Sequence, residues 1–270
     1  MSTLDIYQFR DMFANARSVA FVGNASSVLT WDNGKLIDSY DLVVRFNRAY
    51  TQGHEEKIGS RTDILVANQA NSLEKSPAPA KVLQPQCILT YIKPKRDKDL
   101  APLKAWAGDI PLVITLGPDI PSSCSGNRHR TLTMGTYTLY TFLRLFHLEK
   151  ILLTGFTMFG MAPGGGEKYY EKELNLGVGA SHELDQEALI FSELTRQFRG
   201  ELFMTPEVEA LVYNGTGKPR AGQVASSQKK RFIHYLSAKV LTLGFLLRRY
   251  AEQDSWLEHD SRDRPPRDKR

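Results

Sequence analysis

Cysteine is nearly missing from this chain: Cys87 and Cys124 are the only two in 270 residues. That excludes a disulfide scaffold and leaves no cysteine cluster to hold zinc. No apolar run approaches the ~20 residues a helix needs to cross a bilayer, which excludes a polytopic membrane protein. The opening residues, MSTLDIYQFRDMF, carry acids early and no apolar stretch, so they do not form a secretory signal. Internal repeats are missing too. What is present is an ordinary globular composition, 41% hydrophobic, 10% aromatic and 24% charged, long enough to bury a sizeable core.

The body also lacks the charge that the whole chain shows. The formal net charge is +5 and the pI near 9.1. Residues 218–270 hold 13 Lys/Arg and 6 Asp/Glu, a net of +7, which leaves 22 basic and 24 acidic residues before them, a net of −2. Single-strand recognition needs basic residues interleaved with aromatics, and this body is slightly acidic, so no nucleic-acid partner is expected.

Short β-branched runs recur at 18–22, 41–46, 64–67, 87–92, 111–116 and 150–154, several of them ending in Gly or Asn. Nearly continuous apolar runs fit strands buried on both faces. Helical stretches at 137–146 and 183–198 lie between or after them. The alternation predicts an α/β fold: a doubly wound, mostly parallel central sheet flanked by helices, Rossmann-like, with ligands beyond the carboxyl ends of the strands. The expected organisation is a catalytic domain over 1–213, a linker over 214–227, a basic amphipathic helix over 228–252 and a disordered charged tail over 253–270.

Three clusters carry polar chemistry. The strand at 18–22 runs into Gly23-Asn24, and the next strand ends in Arg45-Phe46-Asn47. Two asparagines at two strand ends can hydrogen-bond a nucleotide, or can simply cap turns. In the second cluster Gly135 stands at a helix start beside Thr131, Thr133, Thr136 and Thr138, where free N–H groups and hydroxyls suit a phosphate. The strand 150–154 then ends in Gly155-Phe156. The third cluster is Lys168-Tyr169-Tyr170 followed by Ser181-His182-Glu183 and Glu187. With Ser181 as N-cap, His182 falls in the first helical turn, where the helix dipole favours the neutral imidazole that a general base needs.

The order and spacing of these clusters resemble the eukaryotic-type sialyltransferases, over residues 19–187. That family's large motif appears as Val22-Gly23-Asn24-Ala25-Ser26, Ile37-Asp38-Ser39-Tyr40-Asp41 and Arg45-Phe46-Asn47, continued by Ile58-Gly59-Ser60-Arg61-Thr62. Its small motif appears as Leu132-Thr133-Met134-Gly135 with Thr154-Gly155-Phe156, its third motif as Lys168-Tyr169-Tyr170, and its very small motif as His182 and Glu187. The resemblance implies a GT-A-variant glycosyltransferase that moves sialic acid from CMP-sialic acid to a glycan hydroxyl with inversion. It implies no metal or other cofactor. It makes His182 the general base and gives donor binding to Asn24, Asn47, Thr133, Gly135, Gly155, Lys168 and Tyr170, with Gly23, Ser26, Arg45, Thr136 and Glu187 in support.

Departures from the family's pattern bear on that reading. Lys168 replaces the usual third-motif histidine and keeps only a point charge for a phosphate. The positions of the family's disulfide fall near Ser18 and Phe146-His147, so neither cysteine matches. An N-terminal anchor is missing as well, which points to a reducing, bacterial cytoplasm. Thr133-Met134 also departs from the family's Ser-Thr, which leaves CMP-Kdo, as used in lipopolysaccharide or capsule synthesis, open as the donor. A non-catalytic nucleotide- or glycan-binding protein is the alternative of another class. The single Asp-x-Asp, Asp97-Lys98-Asp99, reads as a charged loop and not as a metal site. Lys229, Lys230, Arg231, Arg248 and Arg249 bracket a mostly apolar stretch too short and charged to span a bilayer. This suits an interfacial helix on an anionic membrane, with the enzyme peripheral on the inner face of the cell membrane beside a glycolipid acceptor.

Overall fold

A computed structural model describes residues 2–67, 82–92, 100–117, 132–158, 168–169 and 184–213. The buried β-branched runs form a sheet that is parallel throughout. β2 (Ser18–Val22), β3 (Leu42–Phe46), β4 (Ile64–Val66), β5 (Cys87–Ile92) and β6 (Leu112–Leu116) lie side by side in chain order. The chain then crosses back, so β7 (Lys150–Thr154) pairs with the free side of β2 and β8 (Glu201–Met204) follows it. The two-residue β1 (Thr3–Leu4) closes the far edge on β6. Among the described residues the order is β1-β6-β5-β4-β3-β2-β7-β8, the doubly wound α/β architecture that the alternation predicts.

Alternate side chains of each strand face different covers. Val19, Phe21, Leu42 and Val44 pack on Phe9 of α1 (Ile6–Met12) and Phe142 of α5 (Met134–Leu145). Phe142 meets Phe9 and Phe21 edge-on, with ring centroids 5.8 and 5.2 Å apart. On the other face Ala20, Val22 and Val43 lie under Val28 of the 3-10 helix Ser26–Thr30, Ile37 of α2 (Gly34–Asp38) and Ile58 of α3 (Glu55–Ile58). A third cluster packs Leu65 and Ile88 on Leu103 of α4 (Ala101–Ala107). Each fully buried aliphatic or aromatic side chain contributes roughly 1.5–3 kcal/mol, so both faces resist polar substitution.

The strands predicted at 18–22, 87–92 and 150–154 have those bounds, and the other three differ by one residue at an end. The helix predicted over 137–146 begins three residues earlier, at Met134, and that over 183–198 is α6 (Leu184–Gln197). Further helices outside those predictions cover the sheet, α1 and α7 among them. α1 starts at a capping box: the Asp5 carboxylate accepts from the Tyr7 and Gln8 N–H groups, both at 2.8 Å, and the Asp5 N–H donates to Gln8 Oε1. α7 (Pro206–Tyr213) follows β8 directly, and the linker, helix and tail expected beyond it lie outside the described residues.

Candidate functional site

The connections of the neighbouring strands β2 and β7 run in opposite directions, the switch point beyond whose carboxyl ends open α/β sheets ordinarily bind ligands. Gly23 follows β2 and Gly155 follows β7. The Gly23 N–H donates to the Thr154 carbonyl at 2.8 Å, and the Ala25 N–H donates to the Gly155 carbonyl at 3.2 Å. A Cβ on Gly23 would stand 2.2 Å from the Gly155 oxygen. One on Gly155 would meet Val28 Cγ1 at 2.3 Å and the Gly23 oxygen at 2.7 Å, and Gly155 has φ +72°. Both positions are glycine because two backbones meet there with no room for a side chain.

Asn24 and Asn47 extend this edge toward β3. The Asn24 amide donates from Nδ2 to the Phe46 carbonyl at 2.8 Å, while its buried Oδ1 has no hydrogen-bond partner among the described residues. Asn47 has φ +55°, a left-handed conformation asparagine tolerates, and its N–H donates to the Val66 carbonyl at 2.8 Å. Turn-making therefore accounts for the backbone of Asn47 and one half of the Asn24 amide. Ser26 opens the 3-10 helix immediately beyond.

The third cluster docks on the same turn. Lys168 forms an antiparallel bridge with Ala25, and the Tyr169 N–H donates to the Asn24 carbonyl at 3.1 Å. The Tyr169 hydroxyl donates to the Tyr50 carbonyl at 2.7 Å, and the ring meets His54 edge-on at 5.7 Å. Burial pushes this hydroxyl well above the usual phenol range, opposed by the positive charge of Arg45, so it stays a neutral donor. Lys168 is half-buried beside Asn24.

At the start of α5 the threonines of the expected phosphate site bond to a carboxylate of the protein itself. Thr133 occupies the N-cap position, but its side chain makes no cap hydrogen bond. Instead Oε1 of Glu187, from α6, accepts from the Thr133 N–H at 2.8 Å, from the Thr133 hydroxyl and from the Thr136 hydroxyl at 2.6 Å. Glu187 is only 1% exposed. A carboxylate of the protein itself takes the place where an anion suits the helix dipole, so the two threonine hydroxyls are committed to the scaffold. Gly135 lies against Phe156: a Cβ there would stand 2.8 Å from the ring. Phe156 also packs on Phe46 and Phe191, with centroids 5.6 and 5.4 Å apart. This ring ties the ends of β3 and β7 to α5 and α6.

Arg45, expected to support donor binding, faces away from solvent with 0% exposure. It donates from Nε to the Arg61 carbonyl at 2.8 Å and from Nη2 to the Ile58 carbonyl at 2.6 Å. Burial lowers its pKa to about 10, which leaves it charged near neutrality. Asp38 accepts from the Ser60 and Arg61 N–H groups, and Arg61 in turn donates to the carbonyls of Asp38, Tyr40 and Asp41. The middle of the large motif is a scaffold.

One site-edge residue escaped the sequence reading. Glu207, in the first turn of α7, reaches the Gly155 N–H at 3.2 Å and the Trp31 indole at 3.3 Å. A glutamate at a helix start carries no signal beyond ordinary dipole compensation. Tyr170, Ser181, His182, the Asp97–Asp99 pair, Cys124 and the basic residues Lys229, Lys230, Arg231, Arg248 and Arg249 lie outside the described residues. Cys87 is a free thiol buried in β5, its pKa pushed up to about 12 by burial.

Comparison with known proteins follows the same geography. Residues 7–105 match the glycosyltransferase family 29 (sialyltransferase) pattern. Over those residues the chain is similar to that family. That match spans just over a third of the chain and includes the Gly23-Asn24 turn, Arg45 and Asn47. A 51-residue stretch is 43% identical to beta-1,6-galactosyltransferase GALT29A of Arabidopsis thaliana, covering 19% of this chain and 13% of that protein. Another of 52 residues is 44% identical to beta-galactoside alpha-2,6-sialyltransferase 2 of Homo sapiens, covering 19% of this chain and 10% of that one. The matched stretches are thus about a tenth of those relatives' length. A mammalian sialyltransferase crystal structure aligns over 71% of this chain and 70% of its own, with TM-score 0.45 and 18% identity.

Proposed function

We propose that this chain is a sialyltransferase-family glycosyltransferase, inverting and metal-independent, whose donor is a CMP-activated ulosonic acid and whose acceptor is a glycan hydroxyl. One observation carries the reading. Segments named separately from the sequence touch one another in series at the switch point: Gly23 on Gly155, Asn24 on Phe46, Lys168 on Ala25, and Gly135 on Phe156.

The roles follow from the chemistry of the groups that stand at this edge. Asn24 Oδ1 accepts from the nucleotide, the glycine turns let its sugar-phosphate approach the backbone, and Lys168 supplies charge to the phosphate. Stabilising the leaving CMP phosphate is the main source of catalysis in a transfer with an oxocarbenium-like transition state. His182 removes the proton from the acceptor hydroxyl, and Glu187, five residues on, anchors its helix to α5. The cytoplasmic, membrane-peripheral placement belongs to the same proposal and rests on the basic C-terminal sequence.

The test is incubation with CMP-sialic acid, CMP-Kdo and an activated galactose in parallel, measuring nucleotide release with and without lipid-linked glycans. CMP release from either ulosonate supports the reading and decides the sugar. Release only from the galactose donor favours a second reading, suggested by the likeness to a beta-1,6-galactosyltransferase. His182→Ala is expected to abolish transfer and keep CMP binding. A fully active variant removes His182 as the base.

A further inference from the structure

Glu207 is the second carboxylate buried at the carboxyl edge of the sheet, and the motifs of the large, small, third and very small series stop short of it at Glu187. It is 5% exposed. Its Oε1 accepts from the Thr205 hydroxyl at 2.6 Å and from the Gly155 N–H at 3.2 Å, and its Oε2 accepts from the Trp31 indole N–H at 3.3 Å. The Thr205 hydroxyl also meets the Thr154 hydroxyl at 3.2 Å. A glutamate in a first helical turn ordinarily faces water, where it gains from the helix dipole. Here it turns inward and joins three segments: the glycine turn after β7, the residue that closes the 3-10 helix, and the start of α7.

Those segments stand at the switch point that the donor-site reading assigns to the nucleotide. Gly155 has no side chain of its own to hold its left-handed turn, and Val28 of the 3-10 helix packs against it. Resting on the donor-site reading above, we propose that Glu207 is a positioning residue of that site, fixing the Gly155 turn and Trp31 from behind so that the site keeps the shape that binds the nucleotide. It does not touch the reacting atoms. Its loss therefore weakens nucleotide binding.

Glu207→Gln retains an oxygen for the Gly155 N–H but offers the indole an amide nitrogen, and Trp31→Phe removes the indole donor alone. Calorimetric titration of the full chain with CMP is expected to show about a threefold weaker affinity for each, with the double variant no weaker than either single one. Glu207→Ala is expected to weaken CMP binding by about tenfold or more and to speed amide hydrogen exchange at Gly155. Faster exchange at Gly155 with unaltered CMP affinity in all three variants would overturn the proposal by reducing Glu207 to a structural role. Where Glu207→Ala does not fold, the Glu207→Gln and Trp31→Phe pair decides, and wild-type affinity in both overturns it. Absence of CMP binding by the unmodified chain would overturn the donor reading, and this proposal with it.

Discussion

A methyl group added at Gly155 would collide with Val28 and with the Gly23 carbonyl, in a backbone conformation that L side chains avoid. Gly155→Ala is therefore expected to lose about 3 kcal/mol or more of stability in urea denaturation, whereas the same change at the open Gly53 should cost far less. Asp41 offers a pH-dependent counterpart. Its carboxylate accepts from the Arg17 N–H at 2.8 Å and the Ser18 N–H at 2.9 Å, and the first of these does most to hold its pKa below the usual carboxylate range. A depressed folded pKa gives stability that is fully present above the unfolded value of about 3.9 and is lost as pH falls through the lower, folded one. Asp41→Asn should thus be about 1 kcal/mol less stable near neutrality, the figure being small because the carboxylate is exposed, and the gap should close below about pH 4. A gap independent of pH would contradict the assignment. The turns that build this edge were legible residue by residue, because Gly-Asn at a strand end and Gly at a helix start mark a turn or a close approach. What the motif did not reveal is that Asp38, Arg45 and Arg61 serve the backbone of the loops around them. Charged side chains in a recognisable pattern look the same on paper whether they meet a ligand or a carbonyl.

Between elements, the joint with the most at stake is the one Glu187 makes from α6 to α5. Removing it leaves the Thr133 N–H and two threonine hydroxyls without their acceptor, which is expected to cost about 3 kcal/mol. A double-mutant cycle of Glu187→Ala with Thr136→Val checks the link. The two changes should be strongly non-additive, and simple additivity would show that the contact carries no energy. α5 and α6 were legible because each keeps an apolar face for more than ten residues. β1, β8, α1 and α7 were not, for a physical reason. They span two to eight residues, too few for a period to show, and they owe their form to neighbours: β8 to its pairing with β7, α7 to Val208 and Leu211 in the core.

For the whole molecule, the division between a near-neutral body and a basic C-terminal stretch is a property of sequence alone. Deleting residues 225–270 is expected to abolish binding to anionic vesicles while leaving nucleotide binding intact, and unchanged vesicle binding would sink the membrane reading. Strand order assembles the site: only the return of β7 to the free side of β2 brings Gly23 and Gly155 together, and sequence gives the strands but not that order. Everything proposed about the reaction depends on this switch point being a CMP site. Calorimetric titration of the intact chain with CMP, UMP and ADP tests that most directly. CMP is expected to bind at least about tenfold more tightly than either of the others, with Asn24→Ala weakening it selectively. Equal affinities for the three nucleotides, or no heat with CMP, would contradict the donor site.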